Sequence, residues 1–210
     1  MSGPSIAVLD YGIGNLRSAE KALQRVGGDA RLTSDPAEVR VADAVVLPGV
    51  GAFGACMNAL TASGLDRSAR DAVDSGRPFL GICVGMQMLF SSSDEDPGVA
   101  GLDVIPGRVR WIPDGVKRPQ MQWNRVTVRA TNDPMFVGSE WTGEPWVYFV
   151  HSLHGVPVDP TVVAATCEYG GTLNAAFRSG NVFATQFHPE KSGSAGLALL
   201  ANFVAVARGR

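Results

Sequence analysis

The chain has 210 residues, 45% of them hydrophobic and 18% charged, with 25 Gly and 13 Pro. This balance excludes a disordered tail or a long solvated helix, and a chain of this length buries enough surface to fold without staples. Eighteen Lys and Arg against twenty Asp and Glu leave a formal net charge of −2, so there is no electrostatic footprint for nucleic acid or an anionic membrane. The three cysteines, Cys56, Cys83 and Cys167, cannot all pair and show no C-x-x-C spacing. Reduced thiols in the cytoplasm are therefore expected. The first five residues run straight into an apolar segment without a basic leader, and the weakly polar run 195–207 is too short to span a bilayer.

Taken in chain order, residues 5–9 predict a buried strand that stops at Asp10-Tyr11-Gly12. Leu16, Ala19, Leu23 and Val26 recur at helical spacing, and Gly27-Gly28 closes that helix. Short strands follow at 30–33 and 43–47, the latter ending at Pro48-Gly49-Val50-Gly51. Helical patterns cover 53–60 and 65–73, and a fourth buried strand over 77–82 leads into Gly81-Ile82-Cys83-Val84-Gly85. The next segment, 86–90, is apolar all round and is expected inside the molecule. Strands and helices alternate up to residue 90, which implies a parallel sheet covered on both faces. Beyond it, 104–111, 123–129, 146–150, 162–167, 175–178 and 182–185 read as short strands forming an antiparallel extension of the sheet. A last helix over 193–208 carries Leu197, Leu200, Phe203 and Val204 on one side. The expectation is one α/β domain spanning 1–210, an open and mostly parallel sheet with helices on both faces.

In such sheets the ligand crevice lies at the carboxyl ends of the strands. Gly81-Ile82-Cys83-Val84-Gly85 is the thiol counterpart of a nucleophile elbow: glycines permit a strained strand-to-helix turn that lifts Cys83 out of the sheet. A free thiol is only a few per cent thiolate at neutral pH, and a helix N-terminus adds modest stabilisation, so a base is required. His188 and Glu190 supply one reading of it: in extended chain, residues i and i+2 share a face, which lets the carboxylate orient the imidazole. The Pro48–Gly51 stretch offers a second oxyanion donor, around Val50 and Gly51, beside the Val84 N–H. His151 and His154 read as turn or pocket-wall residues. No metal-ligand spacing is present, Gly12-Ile13-Gly14 lacks the third glycine of a dinucleotide fingerprint, and no cofactor is implied.

These residues resemble a known family. Gly-Ile-Cys-x-Gly-Met-Gln at 81–87 and Gln-Phe-His-Pro-Glu-Lys at 186–191 are similar to the class I (triad-type) glutamine amidotransferases. More narrowly, the segments 10–16, 47–53 and 119–121, with Trp123-Asn124 and Tyr148–Ser152, resemble the glutaminase subunits of imidazole glycerol phosphate synthase. One departure is Gln122, where that family usually has Gly. The resemblance implies a flavodoxin-like fold and attack by Cys83 on the side-chain amide of glutamine, with His188 as base and Glu190 as its orienting group. It further implies substrate contacts at Gly49, Gly51, Gln87, Glu95 and Ser152, with Glu95 meeting the ammonium. Ammonia would pass to a cyclase subunit of histidine biosynthesis docked at Asn15, Met121, Trp123, Tyr148 and Lys191. A glutaminase of the anthranilate or pyridoxal phosphate synthases, or a non-catalytic module on the same fold, are the alternatives.

Overall fold

A computed structural model describes residues 3–209. The first half alternates as its periodicity demands: β1 (Ser5–Leu9), α1 (Leu16–Arg25), β2 (Asp29–Thr33), α2 (Pro36–Val41), β3 (Ala44–Gly49), α3 (Phe53–Ala62), α4 (Leu65–Asp74), β4 (Phe79–Cys83) and α5 (Val84–Gln87). α1 buries Leu16, Ala19 and Leu23 on one face, and Gly27, at φ +91°, closes it with its N–H on the Gln24 carbonyl. α2, which the periodicity does not announce, is fixed by local chemistry. Pro36 starts it, and the Asp35 carboxylate accepts from the Ala37 N–H at 2.8 Å.

The second half comprises β5 (Phe90–Ser93), β6 (Ile105–Trp111), β7 (Gln120–Arg125), β8 (Thr127–Val128), β9 (Trp146–His151), β10 (Leu153–Pro157), β11 (Val163–Glu168), β12 (Thr172–Ser179), β13 (Val182–Thr185) and α6 (Gly193–Arg208). The central sheet has the order β2-β1-β3-β4-β13-β12-β11-β8. Its first five strands are parallel, and β12, β11 and β8 continue it antiparallel. The expected extension is thus only part of what these strands build. β5, β6 and β10 form a separate three-stranded sheet, and β7 pairs with β9 in a two-stranded ribbon.

α1 packs beside α6, while α4 packs with both α2 and α3. β3, with Val45, Val46 and Leu47 fully buried, reads as a continuous apolar run because neither face meets water. The 86–90 segment is buried as expected, but α5 stops at Gln87 and Phe90 opens a strand. On α6 the core face is Leu199, Leu200, Phe203 and Val204; Leu197 is only half-buried. Among the described residues, no helix is long and apolar enough to cross a membrane. β3, β4 and β13 lie side by side and parallel, so their carboxyl ends converge on one edge of the sheet.

Candidate active site

Cys83 is the last residue of β4 and the cap of α5, with φ 56° and ψ −113°. A non-glycine residue at positive φ is held there only when its surroundings leave no alternative. The flanking glycines provide that constraint. A Cβ on Gly85 would lie 1.8 Å from the Leu47 carbonyl oxygen, and one on Gly81 would lie 3.0 Å from the Met86 Cα. β3 and α5 therefore close on the turn from both sides, and Cys83, 3% exposed, faces a cavity of about 220 Å³. Val50, Gly51, Val84, Gln87, Glu95, Ser152 and His188 line the same cavity. The other two thiols are buried elsewhere, and burial pushes Cys167 up to about 12 and Cys56 upward as well.

His188 follows β13 and is anchored through its backbone. Its N–H donates to the Tyr148 carbonyl at 3.0 Å, and its own carbonyl accepts from the Ser192 hydroxyl at 2.6 Å. The His188 Nδ1 lies 2.7 Å from the Glu190 Oε1, with both side chains nearly inaccessible. This pair does not arise from pleated alternation. His188 is extended, but Pro189–Lys191 forms a 3-10 turn, and the turn swings Glu190 under the ring. Burial works against the imidazolium, but the Cys83 sulfur and the Glu190 carboxylate outweigh it and push His188 up to about 9. Nε2 has no partner at ordinary hydrogen-bond geometry, and the Cys83 sulfur is the neighbour that raises the ring's pKa most.

The third wall is the end of β3. The Tyr11 hydroxyl donates to the Pro48 carbonyl at 2.7 Å, and the Cys56 thiol donates to the Val50 carbonyl at 3.3 Å. Burial keeps both donors protonated. Gly49 stands opposite Cys83 in the β3–β4 register and is not part of the cavity lining; a Cβ there would lie 2.6 Å from the Gly85 nitrogen. Gly51, at φ +100°, has no atom within 4 Å of where its Cβ would be. Glu95 faces the cavity while its Oε2 accepts from the Phe53 N–H at 2.7 Å, and Asp96 accepts from the Gly54 N–H at 2.9 Å. The two carboxylates thus accept from the first two N–H groups of α3.

His151 also lines the cavity; burial pushes it down to about 4, and its Nδ1 lies 2.7 Å from the Leu153 carbonyl oxygen, as befits a neutral wall. His154 lies outside the cavity lining, half-buried beside Arg110. Met121 and Trp123 are exposed on the β7–β9 ribbon, with Tyr148 paired to Trp123 and the Lys191 Nζ 6.0 Å from the Tyr148 ring. Asn15 is exposed at the start of α1, the helix that touches the 189–191 turn. Gln122 is exposed within an uninterrupted β7. Three participants escaped sequence reasoning: Tyr11, Cys56 and Gln186. Gln186 lies inside the 186–191 motif, but nothing in one sequence signals that its side chain turns toward Cys83. Among the described residues, no group of three or more His, Cys, Asp or Glu is placed to hold a metal ion.

A thiol on a strained elbow, an imidazole held by a carboxylate and a glycine-rich strand end meet around one cavity. The family model for glutamine amidotransferase class-I matches residues 7–207, and the chain belongs to that family. Within it, the chain groups with the HisH subunits of imidazole glycerol phosphate synthase. That of Methanothermobacter thermautotrophicus is 50% identical over 203 residues, covering 97% of this chain and 99% of the relative. That of Syntrophotalea carbinolica is 51% identical over 205 residues, covering 94% and 98%. Among solved structures, PurLQS from Thermotoga maritima shares the fold, with a TM-score of 0.74 at 19% identity over 97% of this chain and 98% of that one.

Proposed function

We propose that the chain, as one glutamine amidotransferase domain, hydrolyses glutamine to glutamate and ammonia and passes the ammonia to a cyclase subunit in the cytoplasm. That cyclase would use it to form imidazole glycerol phosphate and an aminoimidazole carboxamide ribotide in histidine biosynthesis. The family membership supports the activity and the subunit character. One observation carries the assignment of residues: the strained Cys83 and the Glu190-held His188 share a cavity with Val50, Gly51 and Val84.

Cys83 loses its proton to His188 and attacks the amide carbon of glutamine. The carbonyl electron pair moves to oxygen, where N–H groups of the 50–51 stretch and of Val84, the first residue of α5, receive it. His188 then protonates the leaving nitrogen, ammonia departs, and a glutamyl thioester remains. Water, deprotonated by His188, releases glutamate and restores the thiol. Glu190 holds the tautomer and stabilises the imidazolium throughout. Glu95, Gln87 and Ser152 bind the substrate's polar groups, with Glu95 on the ammonium. Met121, Trp123, Tyr148, Lys191 and Asn15 receive the cyclase.

The test compares synthesis by the assembled enzyme from glutamine and from added ammonia. Cys83→Ala is expected to abolish the first and leave the second intact. Retained glutamine turnover in that variant would overturn the assignment of the nucleophile.

A further inference from the structure

The sulfur of Cys83 has a second polar neighbour. The Nε2 of Gln186 lies 3.8 Å from it, and Gln186 is fully buried just after β13, its backbone N–H bound to the Ala175 carbonyl. The other end of the Gln186 amide is taken as well, because its Oε1 accepts from the Gln87 Nε2 at 3.2 Å. The same Gln87 nitrogen lies 3.4 Å from the Leu153 carbonyl oxygen.

This chain of contacts has only one polarity that pairs every group. A backbone carbonyl can only accept, so the Gln87 amide must present its NH₂ to Leu153. The same NH₂ then meets Gln186, which must answer with its oxygen. Turning the Gln186 amide would set two donors against each other, and turning both amides would set the Gln87 oxygen against the Leu153 oxygen. Gln186 therefore presents N–H to Cys83. A donor at that sulfur discriminates between its two states, since a thiolate is a strong acceptor and a thiol a weak one. Gln186 has no exposed surface, so its amide is held by protein groups alone.

We propose that Gln186 is a further catalytic residue: its amide, oriented by Gln87 and ultimately by the Leu153 carbonyl, donates to the Cys83 sulfur whenever that sulfur carries negative charge. This rests on the reading of Cys83 as nucleophile. Gln186 itself transfers no proton. The thiol proton goes to His188, and the sulfur lone pair freed by that transfer is the acceptor. When the S–C bond forms, that charge and the bond to Gln186 are given up; when water cleaves the thioester, the S–C pair returns to sulfur and the bond re-forms. The donor thus raises the thiolate fraction before attack and makes sulfur a better leaving group during hydrolysis.

The experiment alkylates Cys83 with iodoacetamide in the full chain across pH 5 to 10 and reads labelling of the Cys83 peptide by mass. Two variants are compared with the native chain. Gln186→Met keeps the length and removes the donor; Gln186→Glu keeps the shape and replaces the donor with a carboxylate oxygen. Both should move the midpoint of alkylation upward, by about one pH unit for Met and more for Glu, with labelling at pH 7 slowed about tenfold or more. The pH profile of glutamine turnover in the assembled enzyme should move the same way, while synthesis from ammonia stays at the native level. Packing loss alone would lower turnover without moving the midpoint. A native midpoint in a folded Gln186→Glu chain overturns the proposal. Failure of the native chain to label at Cys83, or glutamine turnover in Cys83→Ala, would instead remove the nucleophile assignment on which it rests.

Discussion

Two walls of the cavity are built on opposite principles. On the elbow side, Gly81 and Gly85 are glycines because no room exists for anything larger, and the closeness of β3 and α5 fixes Cys83 in its strained conformation. On the facing side, Gly51 is glycine because of its φ alone, with open space all round it. The strand below it is pinned by the donors Tyr11 and Cys56, but only as far as the Val50 carbonyl. Cys83 is thus positioned by steric exclusion and the Val50–Gly51 stretch by a few hydrogen bonds. Steric exclusion tolerates no adjustment; hydrogen bonds can be exchanged for others of similar strength.

Substitutions at Gly85 and Gly51 separate these principles. Gly85→Ala should cost about 3 kcal/mol or more, because a β-carbon cannot share space with the Leu47 carbonyl. Thermal unfolding should show a fall of roughly 10 °C, and activity should be lost with it. Gly51→Ala should leave melting within about 4 °C of native yet lower glutamine turnover roughly a hundredfold, the scale of one lost oxyanion donor. Comparable melting losses in both would show that the walls do not differ.

Between those extremes lies the effect expected at Glu190. Glu190→Gln should reduce turnover by about a thousandfold or more with little change in glutamine binding, because the ring loses the partner that fixes its tautomer and supports its charge. Turnover within about twofold of native would reduce the triad to a dyad.

The smallest effect expected is on stability against pH. The folded state raises His188 from its ordinary 6.5 to about 9, so the ion pair's contribution is fully present below pH 6.5 and is lost as pH rises through 9. Melting temperature should therefore decline across pH 7 to 9.5 in the native chain, and decline less in Glu190→Gln. Parallel curves would mean that Glu190 does not support the imidazolium.

The first half of the fold was legible because buried parallel strands and amphipathic helices impose their periods on the sequence, as β1, α1, β3 and β4 do. α2 escaped because six residues are too few for a period, although Asp35-Pro36 marks its start. The second half was legible as strands but not as sheets. Pairing is a long-range property, and nothing local in β6 or β10 says that they join β5 rather than the central sheet. In the site, glycine spacing pointed to the strand-to-helix turn at Cys83 and the His-Pro-Glu order to the contact of His188 with Glu190, though a turn rather than an extended chain makes that contact. Gln186 and Cys56 stayed hidden because their roles depend on which atoms face them across the fold.

His188 and the exposed aromatic ribbon are tied together by backbone hydrogen bonds and the Ser192 hydroxyl. The N–H of Tyr148 donates to the Ser192 hydroxyl at 3.0 Å, that hydroxyl donates to the His188 carbonyl, and the Tyr148 carbonyl receives the His188 N–H. No loop lies between the ribbon and the imidazole to absorb a displacement. Mechanically, the Tyr148 backbone and the base behave as one stiff piece. A molecule pressing on that ribbon must either accept the base where it stands or carry it along, and the distance over which such a shift could fade is two hydrogen bonds.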